Sequence, residues 1–260
     1  MRWEFTDVEF KALCYKYRGG RLPSPLRFTS TTRYLDDYER ELIECHAKLD
    51  AELGPGFATI FDTVAQPDVA LVVHAWCDGE FDNPRKRIRV HGARRDRRAC
   101  LIVQAPGETV FHSGGFTMLE CEPEELPALM LAYLPPTEEA RGPAVTLVTE
   151  QPEPDPYGGS GAFDSFEDSA ETRSAAFWNR PAELTGAIRV LQGRSMFGPR
   201  GMHQVTMIFR DLPADGRYLI EVGAPEMTAR GADMKQIISR FEQHVEQTLL
   251  LMESRGEIEV

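Results

Sequence analysis

The chain has 260 residues, of which 41 are acidic and 29 basic, and its formal charge at pH 7 is −12. This negative excess disfavours nucleic acid and anionic membranes as partners of the surface as a whole. The five cysteines are widely spaced and form no C-x-x-C pair, which is typical of a reduced, cytoplasmic protein. The opening MRWEFTD lacks the apolar segment of a signal peptide, and no uncharged apolar run reaches the ~20 residues of a membrane span. We therefore expect a cytoplasmic protein without membrane insertion.

The first helix is specified by its own start and stop signals. Thr6 and Glu9 have the spacing of a capping box, and Phe5 and Phe10 have that of a hydrophobic staple. Apolar residues then recur at helical spacing as far as the Gly-Gly pair at 19–20, which tolerates positive φ and predicts the helix end. The segment LPSPL that follows contains two prolines and is predicted to be a fixed, extended strap.

The rest of the first half places helices around a group of strands. Apolar periodicity, with Pro67 as a stop and Pro123 as a start, predicts helices at about 33–53, 57–65 and 123–134. Short apolar or alternating runs bounded by turn residues predict strands at 69–76, 85–91, 98–105 and 115–121.

A segment rich in proline, glycine, serine and acid lies near the middle of the chain, in EQPEPDPYGGSGAFDSFEDSAE. We interpret it as the boundary between an N-terminal half at 1–150 and a C-terminal half at 164–260, with 151–163 as a linker or flexible loop. A helix over about 163–178 follows, and then strands and a C-terminal helix. The two halves are expected to form one compact domain.

An internal repeat relates the two halves. The tripeptide IRV at 88–90 recurs at 188–190, and in each half it is followed by a loop, an apolar strand, a Pro/Gly turn, another strand and a closing helix. This order predicts an α+β fold with a central, mostly antiparallel sheet flanked by helices and two halves related by a quasi-twofold axis.

Three segments of the sequence resemble one known family. These are FTDVEFKAL with the following LPSPL, IRVHGARRDRRACLIVQAPGE at 88–108, and DLPADGRYLIEV at 211–222. In this order they are similar to segments of the EspG family, the cytosolic chaperones of actinobacterial type VII (ESX) secretion, and none is a catalytic signature. The resemblance independently implies the quasi-twofold architecture, and it implies a PE–PPE heterodimer as the partner. The sequence leaves open whether the free protein forms a homodimer.

The search for chemistry predicts no catalytic residue, no cofactor and no metal site. The nucleophile, P-loop, dinucleotide and zinc-protease motifs are absent from the sequence. His112 and Ser113 are adjacent in HSGG, which fits a hairpin turn better than a nucleophile with its base. His74 lies inside an apolar strand and is interpreted as a hydrogen-bonded core histidine, and with Cys77 it lacks the further ligands of a zinc site.

The hairpin RKRIRVHGARRDRR at 85–98 supports an alternative function. It holds eight basic residues against Asp96, so it is a candidate for binding nucleic acid or an acidic partner. It has no interleaved aromatic residues for base stacking. Its arginines alternate with Ile88 and Val90, as expected for the solvent face of a strand, and this interpretation is preferred.

Partner-binding residues are predicted in the last part of the chain. The final helix, over about 231–253, has a core stripe at Met234, Ile238, Phe241, Val245, Leu249 and Met252. LLLM at 249–252 is apolar around the whole helix, and six of the nine methionines lie at or after Met196, as is typical of an adaptable binding surface. The predicted contact residues are Phe197, Met202, Met207, Met227, Met234, Ile238, Leu250 and Leu251.

The resemblance implies how such a surface is used. A groove between the sheet and the C-terminal helices would accept the apolar tip of the helical PE–PPE pair and hide it from aggregation until secretion. The apolar tip would anchor the complex, and polar contacts at the rim would select the partner.

Overall fold

The computed structural model describes residues 1–148 and 169–258, which contain ten strands and six helices. The strands are β1 (Arg2–Phe5), β2 (Val69–Trp76), β3 (Arg87–Arg95), β4 (Arg98–Pro106), β5 (Ser113–Cys121), β6 (Val145–Thr146), β7 (Leu184–Gln192), β8 (Gln204–Leu212), β9 (Gly216–Val222) and β10 (Thr228–Gly231). The helices are α1 (Asp7–Arg18), α2 (Leu35–Glu52), α3 (Phe57–Ala65), α4 (Leu126–Leu131), α5 (Ala170–Asn179) and α6 (Met234–Ser254).

The ten strands form one antiparallel sheet whose order is symmetric about its centre. The order is β1-β5-β4-β3-β2-β7-β8-β9-β10-β6. Strands β2 and β7 pair over their full length, from Val69 opposite Gln192 to Trp76 opposite Thr185. Each then leads outward through three further strands to a helix on one face, α4 in the first half and α6 in the second. The predicted α+β fold with two quasi-twofold halves is confirmed.

The repeat itself was predicted one strand out of register. IRV at 88–90 lies on β3, whereas IRV at 188–190 lies on β7. Because β7 is the counterpart of β2 and β8 that of β3, the two tripeptides do not occupy equivalent positions. The shared letters are a coincidence, and the equivalence of the halves rests on strand order.

Helices cover the two faces of the sheet differently. Helices α4 and α6 pack on one face over a core that includes Leu71, Val73 and Phe241. On the opposite face, α1, α2 and α3 cover the outer strands of the first half, around Phe10. Helix α5 covers the outer part of the second half on that face, around Phe177. The helices that pack on β2 and β7 are α4 and α6 on the core face. We call the other face of β2, β7 and the neighbouring part of β3, where loops and not helices pack, the open face.

The start of the chain follows its local signals. Thr6 Oγ1 accepts a hydrogen bond from Glu9 N at 3.2 Å, Thr6 N donates to Glu9 Oε2 at 2.8 Å, and Gly19 ends α1 with φ of 59°. The predicted extended strap is wrong in its centre, because Ser24–Pro25 is a cis peptide and Leu26 N donates to Pro23 O at 3.0 Å. The segment therefore makes a turn.

Residues 135–148 cross from the first half to the second. Strand β6 pairs with β10, and Ala140 N donates to Arg217 O at 3.1 Å. In structural terms the second half therefore begins before the boundary predicted from composition at 150. The predicted linker at 151–163 and the predicted helix start at Phe163 lie outside the described residues; α5 begins at Ala170, behind the Ser169 cap.

The segment 211–222 binds the crossing residues 135–148 to the sheet. The Arg217 guanidinium is fully buried and donates to both carboxylate oxygens of Asp211, at 2.6 and 2.7 Å. Asp215 accepts from Gly142 N and Tyr218 Oη, each at 3.0 Å. Burial raises the pKa of Asp215, but these bonds and one from Arg141 N outweigh burial and hold the pKa below its usual value. The DGRYL motif is therefore structural.

Candidate partner-binding surface

Helix α6 supplies the frame of the candidate surface. Asp233 and Gln236 form a capping box with two bonds of 2.8 Å. The buried stripe of the helix is Ile237, Phe241, Val245, Thr248 and Met252. The predicted stripe was therefore partly wrong, because Met234, Ile238 and Leu249 are only partly buried. Thr248 takes a core position because its hydroxyl donates to His244 O at 2.8 Å, which satisfies the polar group within the helix.

A cavity of about 760 Å³ lies beside the C-terminal half of α6. Its apolar lining includes Val245, Leu249, Leu250 and Ile258. The cavity is also lined by acidic residues of α6 and by Arg94 and Arg97 at the tip of the β3–β4 hairpin. Leu250 is 62% exposed, so the apolar end of α6 remains accessible. This arrangement combines an apolar floor with a charged rim, as protein interfaces do.

The β7–β8 loop, residues 193–203, adds exposed apolar side chains at the same end of α6. Met196, Phe197 and Met202 are 68%, 65% and 41% exposed. Single exposed apolar residues are ordinary, but three within seven residues of one loop form a patch that water solvates poorly. We call this loop together with Leu249, Leu250 and Ile258 the α6-end surface.

Polar contacts hold the loop in place. The Glu257 carboxylate accepts from Ser195 Oγ and Met196 N, each at 2.8 Å, and Arg255 Nη1 donates to Gly201 O at 3.0 Å. Burial raises the pKa of Glu257, but the hydrogen bonds it accepts outweigh burial, so that its pKa is lowered. These bonds are used within the fold, and the apolar side chains of the loop are left facing solvent.

The structure separates the eight predicted contact residues. Phe197, Met202, Leu250 and Leu251 lie at or near the C-terminal end of α6, whose 21 residues span about 30 Å. Met234 and Ile238 belong to the other end of the helix and pack against the core. Met207 is 1% exposed and offers no surface. Met227 is partly buried against the α5 cluster. Sequence reasoning missed Met196 and Ile258, which only the path of the chain brings to this site.

The basic hairpin does not form one solvent face. Arg95 pairs with Asp62, and Arg94 lines the cavity beside α6. Arg89 is 8% exposed and lies on the open face of the sheet, so its interpretation as a solvated strand residue is wrong. It is buried because the chain at 23–28 and the β4–β5 loop pack beside it, a long-range effect that strand alternation does not report.

The candidate chemical residues have structural surroundings. Ser113 Oγ donates to Gly115 O at 3.1 Å, and His112 Nδ1 lies 2.8 Å from Thr109 Oγ1. His74 is not the hydrogen-bonded core residue that was predicted, because its Nε2 has no partner among the described residues. Within 1–148 and 169–258, no three His, Cys, Asp or Glu side chains are grouped so as to hold a metal ion. In the same part of the chain, no helix has both the length and the apolar character to cross a bilayer.

The fold and this surface define an α+β protein with a continuous antiparallel sheet and an apolar surface at the end of its last helix. The family model of the EspG family matches residues 6–242, and the chain belongs to the EspG family.

A solved structure supports the same fold. It is that of the Mycobacterium tuberculosis type VII secretion system chaperone EspG5 in complex with a PE25-PPE41 dimer. The likeness has a TM-score of 0.56 at 12% sequence identity, and it covers 93% of this chain and 95% of the other. No curated protein matches the chain.

Proposed function

We propose that this protein is a cytosolic, non-enzymatic chaperone that binds the apolar tip of a PE–PPE heterodimer, keeps the pair soluble and directs it to a type VII secretion system. Membership of the EspG family and the complex of the structurally similar EspG5 support this function. The observation that carries the proposal is the α6-end surface, where a rigidly held loop exposes three large apolar side chains beside the apolar cavity.

The physical logic of the surface fits a chaperone. An apolar helical tip aggregates when it is exposed to water, and burying it against Phe197 and Leu250 removes apolar area from water on both partners. The charged residues around the cavity then select among related tips, because a mismatched charge at the rim is costly. Binding of this kind requires neither a nucleotide nor a reactive group.

Co-expression of this protein with PE–PPE pairs from its own genome tests the proposal. We expect one pair to co-elute as a complex of one copy of each chain, measured by size-exclusion chromatography with light scattering. The variant F197D/L250D is expected to lose the complex, because a carboxylate buried against an apolar tip is strongly unfavourable.

The matched control is L35D/I43D on α2, because the side chains of Leu35 and Ile43 are 68% and 67% exposed. It carries the same change of charge and apolar area and should bind as the wild type does. Retention of the complex by folded F197D/L250D would exclude the α6-end surface. Failure of every pair to co-elute with the wild type would exclude the proposed function.

A further inference from the structure

The open face of the sheet carries a group of arginines in its centre. Arg89 on β3 lies directly opposite His74 on β2, and Arg87 lies opposite Trp76. Arg189 on β7 lies opposite Val72. Because side chains two residues apart in a strand share a face, these residues project to the same side as His74. Arg27, from the turn that packs beside β3, also acts electrostatically on His74 and Arg89.

Three of these arginines donate hydrogen bonds, but none of the four has a counter-charge among the described residues. Arg89 Nη2 donates to Val110 O at 2.8 Å, Arg87 Nη2 to Phe81 O at 2.7 Å, and Arg189 Nη2 to Ser24 Oγ at 3.4 Å. Their buried Nε atoms have no partner among the described residues, and neither has Nε2 of His74. No carboxylate of the described residues forms an ion pair with any of the four arginines. Asp82 acts on Arg87 without pairing with it.

Other buried arginines of the protein are paired. Arg217 is held by Asp211, and Arg210 is held by Asp78 at 3.0 Å. With 41 acidic residues the chain has carboxylates in excess, yet no carboxylate within 1–148 or 169–258 forms an ion pair with the group on the open face. A buried guanidinium without a counter-charge is unfavourable in the free protein. Such a guanidinium is well suited to bind a planar anion with two oxygens, such as a carboxylate.

The electrostatics agree with this geometry. Burial lowers the pKa of Arg89 to about 10, and the charges of Arg87 and Arg27 add to the effect. Burial likewise lowers the pKa of His74 to about 4, with contributions from Arg89, Arg87, Arg189 and Arg27. His74 is therefore neutral at pH 7, and its free Nε2 can take part in a hydrogen bond without adding charge.

Aromatic residues stand at the edges of the group. The Phe81 side chain is 56% exposed, and its ring centroid lies 4.1 Å from the guanidinium carbon of Arg87. Phe111, which follows the carbonyl that Arg89 contacts, is 64% exposed. Arginine and aromatic side chains together are typical of the centre of a protein interface, whereas a site for a free inorganic anion needs no apolar rim.

We propose that the open-face arginine group, Arg27, Arg87, Arg89 and Arg189 with His74, is a second docking site, which binds an acidic segment of a protein partner through Asp or Glu carboxylates. The carboxylates pair with Arg89 and Arg189, and apolar residues flanking the acidic segment pack on Phe81 and Phe111. The site is on the sheet face opposite α4 and α6, and it does not depend on the proposed function.

The direct test uses a fluorescein-labelled hexaglutamate peptide with the full-length protein. We expect anisotropy to report binding that weakens as salt is raised, because the contact is ionic. The variant R89M/R189M should weaken binding about tenfold or more, as expected for loss of charge-assisted contacts. The control R98Q/K235Q removes the same charge from exposed positions, one at the tip of the β3–β4 hairpin and one on α6, and should change the affinity less than about twofold.

A thermal readout separates binding from folding. Saturating peptide should raise the Tm of the wild type and of R98Q/K235Q, but not of folded R89M/R189M, because a ligand stabilises only a protein that binds it. An equal loss of peptide affinity in R89M/R189M and in its control, or an unchanged affinity in R89M/R189M, would overturn the proposal.

Two other occupants are distinguished in the same assay. If single-stranded DNA displaced the peptide at lower concentration than the peptide itself binds, the group would be a nucleic-acid site. If the peptide bound only after neutralisation of the chain's own carboxylates in E150Q/E153Q/D155N/D164N/E167Q/D168N, the natural occupant would be intramolecular. Either result would overturn the proposal.

Discussion

At the scale of single residues, charge has three different roles in this protein. The Asp211–Arg217 pair is buried and complete, and it fixes the β8–β9 hairpin to the crossing segment through Thr137, whose hydroxyl donates to Asp211 at 3.1 Å. At the rim of the α6-end cavity, Arg97, Glu246 and Glu253 are exposed and available for selection of a partner. Of the open-face arginines, Arg89 is buried, and no carboxylate of the described residues forms an ion pair with it. Burial and pairing, and not residue type, separate a structural arginine from a candidate binding arginine.

The buried pair gives a prediction about stability. R217M alone should lower the free energy of unfolding by about 3–5 kcal/mol, because it leaves the Asp211 carboxylate buried and unpaired. The double variant D211L/R217M should lose less than the sum of the two single variants, because it removes both charges. Urea unfolding of the wild type, both single variants and the double variant completes the cycle. Additive losses would mean that the two residues are not coupled.

Sequence reasoning at this scale succeeded where a residue acts locally. The capping box requires only that Glu9 follow Thr6 by three residues, and the structure contains it as predicted. It failed for Arg89 and His74, whose surroundings are made by chain segments more than ten residues away, such as those of Arg27 and Val110. Alternation in a strand indicates which face a side chain takes, but not whether that face is covered.

At the scale of elements, the prediction was best for long segments with their own signals. Strand β2 was predicted with its observed bounds, and α2 within two residues at each end. Helix α4 begins at Leu126 and not at Pro123, with Pro127 in its first turn, where a missing N–H is tolerated. The short edge strands β1 and β6 and the short strand β10 beside β6 were missed, because strands of two to four residues exist only through their neighbours.

The N-terminal cap of α1 supports a prediction at this scale. T6A should lower the free energy of unfolding by about 1 kcal/mol, because Glu9 N loses its acceptor and the reciprocal bond is weakened. S239A, at an exposed position within α6, is the control and should change stability by less than about 0.5 kcal/mol. Thermal and urea unfolding measure both. A T6A protein as stable as S239A would show that tertiary packing alone fixes the start of α1.

At the scale of the whole molecule, one sheet has two unequal faces. The face under α4 and α6 is the main core, and its C-terminal end leads to the α6-end surface. The other face leaves β2 and β7 open between two groups of helices. The quasi-twofold order of the strands was predictable, but its register was not, because the sequences of the halves have diverged and pairing at β2 and β7 is set by long-range contacts.

Hydrogen exchange measured by mass spectrometry, on the free protein and on its co-purified PE–PPE complex, tests the central claim most directly. The account predicts that partner binding slows exchange in residues 193–203 and 249–258, while α2 with its exposed Leu35 and Ile43 is unchanged. Protection confined to α2, or no protection at the α6-end surface in a complex that remains intact, would contradict it.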